Sequence, residues 1–204
     1  MLFLRAMNGH WEMRYRWLGV LPLIFFVVQT IHYWRYGGMG NLLWICNLGN
    51  IVLGVGLLIG HRELIRVAGI WTIPGLAIWI VYVLLPSGFY VSTALAHVGG
   101  IVVGLFAVRR VGMDRHAWLY AFVWGMVTQL AARLLSPPEL NVNVAHRVQT
   151  GWESTFNSYW KFWIVFATAS AVVLWLIGKG LMLILPAKPV SEQRAMATRS
   201  EVQT

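Results

Sequence analysis

Six apolar stretches, each close to the roughly 20 residues that cross a hydrocarbon layer, fill this chain and leave only short connections between them. They run from Trp17 to Trp34, Gly40 to Gly60, Ile65 to Leu85, Phe89 to Val108, Ala117 to Leu135 and Trp160 to Leu185. A chain patterned in this way predicts an all-α fold, a polytopic membrane protein built as a bundle of six transmembrane helices. The residues are 58% hydrophobic and 11% charged, against about 25% charged in soluble domains, which excludes an ordinary water-soluble core. One membrane domain over residues 1–186 is expected, followed by a polar, disordered tail over 187–204.

Sixteen Lys and Arg against seven Asp and Glu give a net charge of +9. With six spans both termini fall on one side, together with Arg5, Arg14, Arg16, Arg62, Arg66, Arg109, Arg110, Arg115, Lys179, Lys188, Arg194 and Arg199. The other side receives only Arg35, Arg133, Arg147 and Lys161. Under the positive-inside rule this places both termini in the cytoplasm and the protein, as a multi-pass chain, in the cytoplasmic (inner) membrane. The basic balance is thereby read as topology, helped by attraction to anionic lipid, and not as a nucleic-acid footprint. The first span has neither the short apolar region nor the small-residue cleavage site of a secretory leader, so it is expected to stay as an anchor. A single cysteine, Cys46, excludes an intramolecular disulfide.

Trp11, Trp17, Trp34, Tyr36, Tyr90, Trp118, Tyr120, Tyr159 and Trp160 stand at span ends, where amphipathic rings rest among head groups. Gly56 with Gly60, and Gly100 with Gly104, repeat at four residues and predict close helix contacts. Pro74 and Gly75 interrupt the third span and predict a kink. Pro137 and Pro138 open the long outer loop, and Pro186 closes the last span. No internal repeat supports a transporter built by inverted duplication.

Polar side chains inside spans are costly and usually face a bundle interior or a watery cavity. Cys46, Asn47 and Asn50 are expected roughly 9 to 15 Å along the second span, and Thr93 and His97 about 6 to 12 Å along the fourth. Gln29 with His32, and Gln129 with Arg133, end the first and fifth spans in the same outer half. Cys46/Asn50, Thr93/His97 and Gln129/Arg133 are i,i+4 pairs, each on one helix face. A polar chamber open to the outer surface is expected, roofed by the loop of Asn141, Asn143, His146, Arg147 and Trp152. The alternative is that these groups only hydrogen-bond between helices. A thiol beside a base becomes a strong nucleophile, so Cys46 and His97 form a candidate catalytic pair for taking an acyl group as a thioester. Asn47, Asn50 or Gln129 would then donate to the oxyanion, and Arg133 would suit a lipid phosphate or else snorkel to head groups.

These residues carry a resemblance. Leu42-Leu43-Trp44-Ile45-Cys46-Asn47-Leu48, Gly69-Ile70-Trp71-Thr72-Ile73-Pro74-Gly75, Leu95-Ala96-His97-Val98-Gly99 and Asn141-Val142-Asn143 resemble the YwaF-like bacterial integral membrane family. That family is similar to the eukaryotic transmembrane acyltransferases and androgen-induced-type lipid hydrolases. The likeness covers about residues 40 to 145 and implies a six-helix lipid enzyme with Cys46 and His97 as nucleophile and base and Asn141 and Asn143 as the outer loop element. The hydrolase branch uses a threonine near the cysteine position, which this chain lacks, and that favours a thioester route.

The leading expectation is an acyltransferase or lipid hydrolase acting on outer-leaflet phospholipid, with membrane lipids as partners and no cofactor. A second reading is a non-catalytic small subunit that packs against other membrane subunits through its twelve tryptophans. A substrate-binding component of a vitamin importer fits the span count but lacks a small-residue face over Leu18 to Gln29. Haem held by His32 and His97 has two candidate ligands and no repeated pattern behind it.

Overall fold

The computed structural model describes residues 13–84 and 89–187. It is all-helical, with an isolated bridge between Met113 and Pro186 as the one extended pairing among the described residues. A helical turn, Met13–Arg16, leads into α1 (Trp17–Tyr36), followed by α2 (Ile45–Ile59), α3 (Arg62–Leu84), α4 (Val91–Val111), α5 (Ala117–Leu135) and α6 (Tyr159–Ile184). Four of these, α1, α3, α4 and α6, are long and apolar enough to cross a membrane. The 15 residues of α2 extend only about 22 Å, and the 19 residues of α5 carry Gln129 and Arg133 in its C-terminal half.

The distribution of side chains is that of a membrane bundle. Val20, Ile24, Val27 and Ile31 recur at three- and four-residue steps along α1 and are all exposed. The same holds for Val123, Val127 and Leu130 on α5 and for Ile164, Val165, Val172 and Leu176 on α6. Gln29, Asn47, Asn50, Thr72, Thr128 and Gln129 are buried instead. An apolar exterior around a partly polar interior is costly in water and costs nothing against lipid chains.

α3 is the central helix and packs against α2, α4, α5 and α6. Its Ile65, Ile70 and Trp71 join Leu53 and Leu57 of α2, Val103 and Val108 of α4, Ala121 of α5 and Leu174 of α6 in one core. Small residues let backbones approach: a Cβ on Gly69 would lie 2.4 Å from Val108 Cγ2, and one on Gly19 2.5 Å from the Gly54 carbonyl. Gly100 and Gly104 face inward, against Asn50 and Thr72. Gly60 serves otherwise than as a packing partner of Gly56. It ends α2 at φ +70, where its N–H reaches the Leu57 carbonyl and that of His61 the Gly56 carbonyl, a left-handed cap that glycine favours.

Helix directions alternate. One end of the bundle gathers the Gly60 turn beside Arg16, the buried Arg66, which donates to Glu63 and, at 2.8 Å, to the Gly112 carbonyl, and Met113, which donates to Leu185 at 2.7 Å. The opposite end holds a 3-10 segment, Met39–Leu43, and the loop after α5. Helix ends differ from the expected spans by a few residues, with the third beginning at Arg62 and the fourth continuing through Arg109 and Arg110. The second span departs most. Gly40 does not begin a helix, because Trp44 is extended (φ −57, ψ 134) and α2 starts after it. Leu85 and residues 188–204, where the end of the third span and nearly all of the polar tail were expected, lie outside the described residues.

Candidate functional site

Late α2 initiation puts Cys46 in the first turn of α2, closer to the helix start than a span from Gly40 would. The cap comes from far along the chain. Asn143 accepts the Ile45 N–H through Oδ1 (3.0 Å) and donates through Nδ2 to the Leu43 carbonyl (2.8 Å). It does so from the left-handed region, φ 51, which asparagine tolerates better than most residues. The Asn47 and Leu48 N–H groups both reach the Trp44 carbonyl (2.9 and 3.0 Å). Behind the thiol, a Cβ on Gly75 would stand 3.0 Å from Cys46 Cβ, so the bare backbone at Gly75 gives Cys46 its seat. α3 remains one helix through Pro74.

His97 sits in a π-helical turn, Leu95–Gly99, within α4. Such a bulge often marks a functional position. The Ala96 carbonyl there accepts from Asn50 Nδ2 (3.1 Å), which also donates to the Cys46 carbonyl (3.2 Å). Asn50 thus ties the backbone beside His97 to that of Cys46. Nδ1 of His97 is 2.8 Å from the Thr93 carbonyl. A carbonyl only accepts, so Nδ1 carries the proton and Nε2 is left as the basic nitrogen. Trp79 stacks on the imidazole at 5.7 Å and 12° and donates to Thr93 Oγ1 (3.1 Å), which donates to the Tyr90 carbonyl (2.8 Å). The ring is held on one face and at one nitrogen.

Cys46 and His97 line one cavity of about 690 Å³, within the size range of small-molecule sites. Asn47, Thr93, Gln129 and Asn143 line it too, while Asn50, Arg133 and Asn141 do not. Its wall is largely apolar, with Tyr33, Trp44, Trp71, Trp79, Tyr82 and Phe166 among the lining residues, and no Asp, Glu, Lys or Arg among the described residues contributes to it. No hydrogen bond joins Cys46 to His97 among the described residues.

The amides are largely committed. Asn50 spends both its N–H groups on carbonyls, Asn47 donates one to Asn41 (2.8 Å), and Gln129 donates one to Asn143 (2.9 Å) while accepting from Trp163 (2.9 Å). An NH2 has two hydrogens, so Asn47 and Gln129 each retain one for a ligand and Asn50 retains none. Asn50 therefore drops out as an oxyanion donor, while Asn47 and Gln129 remain available. Outside the cavity, Asn141 staples the loop by accepting from His146 and Arg147 (3.0 Å each). Arg133 donates to the Ala145 carbonyl (2.6 Å) and lies over the Tyr159 and Trp160 rings, which places it in the loop anchor and off the cavity wall. His146 lies 3.5 Å from Ser136 Oγ, and Trp152 is exposed.

Trp79, Trp44 and Gly75 belong to the site and were not singled out as such from sequence. A tryptophan inside a span, away from the head-group level, was the available signal for Trp79. His32 is surrounded by the rings of Tyr33, Tyr36 and Tyr90 at 4.8 to 5.5 Å. Among the described residues no group of three His, Cys, Asp or Glu is placed to hold a metal ion.

No family model, no curated protein and no solved structure matches the chain.

Proposed function

We propose that the protein is a six-span membrane enzyme of the cytoplasmic membrane, with both termini cytoplasmic, that moves an acyl group of a lipid through a thioester on Cys46. The observation that carries this reading is the placement of Cys46 and His97, from different helices, on the wall of one largely apolar cavity. The resemblance to the YwaF-like family points the same way. In the first step His97 Nε2 takes the thiol proton and the sulfur attacks the ester carbonyl carbon. Charge on the oxygen is met by the remaining amide N–H of Asn47 or Gln129. Collapse breaks the ester C–O bond, and the leaving alkoxide takes the proton from His97. The acceptor, an alcohol or water, then gives its proton to Nε2 and attacks the thioester, releasing the Cys46 thiol.

The twelve-to-four distribution of basic residues supports the orientation. In that orientation the cavity, near the Met39–Leu43 segment and the loop after α5, belongs to the outer leaflet. The test is turnover of a fluorescent acyl-ester phospholipid by the protein in lipid nanodiscs. Cys46→Ala abolishes turnover on this account, and His97→Ala lowers it by roughly 10²–10⁴-fold, with both variants retaining the wild-type elution profile. Full turnover in Cys46→Ala would remove the thioester mechanism.

A further inference from the structure

Several residues that line the cavity also face outward. Ile78 and Tyr82 of α3 are 54% and 47% exposed, and Val173 of α6 is 44% exposed. Ala169 of α6 is exposed as well, with Ser170 half-buried beside it, and both line the cavity. A side chain that belongs both to an internal wall and to the outer surface marks an opening, so the cavity is breached between α3 and α6. The inner end of that breach is shut by Trp71 and Leu174, both buried in the core. Its rim is apolar apart from the Tyr82 and Ser170 hydroxyls, and α3 and α6 are both long and apolar enough to span a membrane. Such a rim meets hydrocarbon without cost and meets water at a cost.

We propose that this breach is a lateral port through which the acyl chain of a bilayer lipid enters from the membrane, with Ala169 and Ser170 as the positions that keep it open. The inference rests on the reading of the cavity as a lipid site and names the substrate class: a long-chain lipid delivered within the bilayer, not a water-soluble acyl donor. An uncharged wall suits the chain, and the polar groups at the far side of the cavity, Cys46, Asn47, His97 and Gln129, suit the ester. Ala169 and Ser170 are the small side chains on the α6 side of the wall, so a bulky residue there narrows the port without touching Cys46 or His97.

The experiment uses nanodiscs of phosphatidylcholine doped with a phosphatidylcholine carrying a diazirine midway along one acyl chain, irradiated and mapped by peptide mass analysis. Adducts are expected on the half-buried lining residues Trp79 and Val83 of α3 and Phe166 of α6, in the wild type and equally in Cys46→Ala. Ala169→Trp and Ser170→Trp should each reduce them at least tenfold while leaving adducts on Ile24 and Val27 of α1 unchanged, which shows that the variants are folded and inserted. Adducts confined to outward faces, or unaffected by both tryptophans, would overturn the port. A port that labels normally in a protein whose Cys46 never forms a thioester would sink the acyl-transfer reading alone. A thioester formed from a soluble short-chain ester, with no adducts in the port, would sink the port alone.

Discussion

At the residue scale, Asn143 couples architecture to chemistry. Its two side-chain hydrogen bonds start α2 at Ile45 and so set where the Cys46 thiol stands. Asn143→Ala removes both bonds, at about 1–3 kcal/mol for groups left unpaired, and adds about 1–2 kcal/mol for a Cβ without a polar side chain at positive φ. Asn143→Gly loses the bonds without the backbone strain, so thermal unfolding in detergent should rank wild type above Gly and Gly above Ala. Equal melting of all three would refute the cap. Thr93 offers a separate test of how His97 is held. Thr93→Val leaves the backbone carbonyl that fixes Nδ1 but breaks the Trp79–Thr93–Tyr90 relay. Turnover should fall several-fold, with Trp79 fluorescence altered and Cys46 still acylated.

Among the helices, packing rests on close crossings at glycine. Gly69→Leu forces a side chain into Val108 and the Gly104 carbonyl, a clash that repacking relieves only in part, and should destabilise by about 1–3 kcal/mol. Gly180→Leu, where a Cβ would meet nothing, should be tolerated, and comparing the two midpoints in one denaturation series checks the assignment. Helix existence was legible from hydropathy because a membrane span must be apolar along its whole length: five of the expected stretches overlap α1 and α3 to α6 closely. The start of α2 was not legible, since the break at Trp44 is enforced by Asn143, about a hundred residues away. Cys46, Asn47, Thr93, His97 and Gln129 were named from depth and spacing and Asn143 from its loop, and all six line the cavity, whereas Asn50 and Arg133, expected in the same half, do not. The stack of Trp79 on His97 and the seat that Gly75 makes for Cys46 depend on which helices touch, and hydropathy carries no record of that.

For the whole molecule, an apolar exterior, buried amides and a cavity lined by Cys46 and His97 support the proposal of a lipid-facing reaction chamber. In the proposed orientation, reporters fused to the two termini should both read as cytoplasmic, and one placed at Gly151, where a Cβ meets nothing, should read as external. Opposite readings at the two termini would require an odd number of spans and dismantle the six-span account. The most direct test of the central claim is the intact mass of the purified protein after incubation with long-chain phosphatidylcholine in nanodiscs. The account predicts one added acyl group, lost on hydroxylamine treatment, mapped to Cys46 and absent from Cys46→Ala. An unmodified Cys46 under conditions where the labelled lipid occupies the cavity would contradict it, and would leave the protein as a lipid-binding membrane component without acyl chemistry.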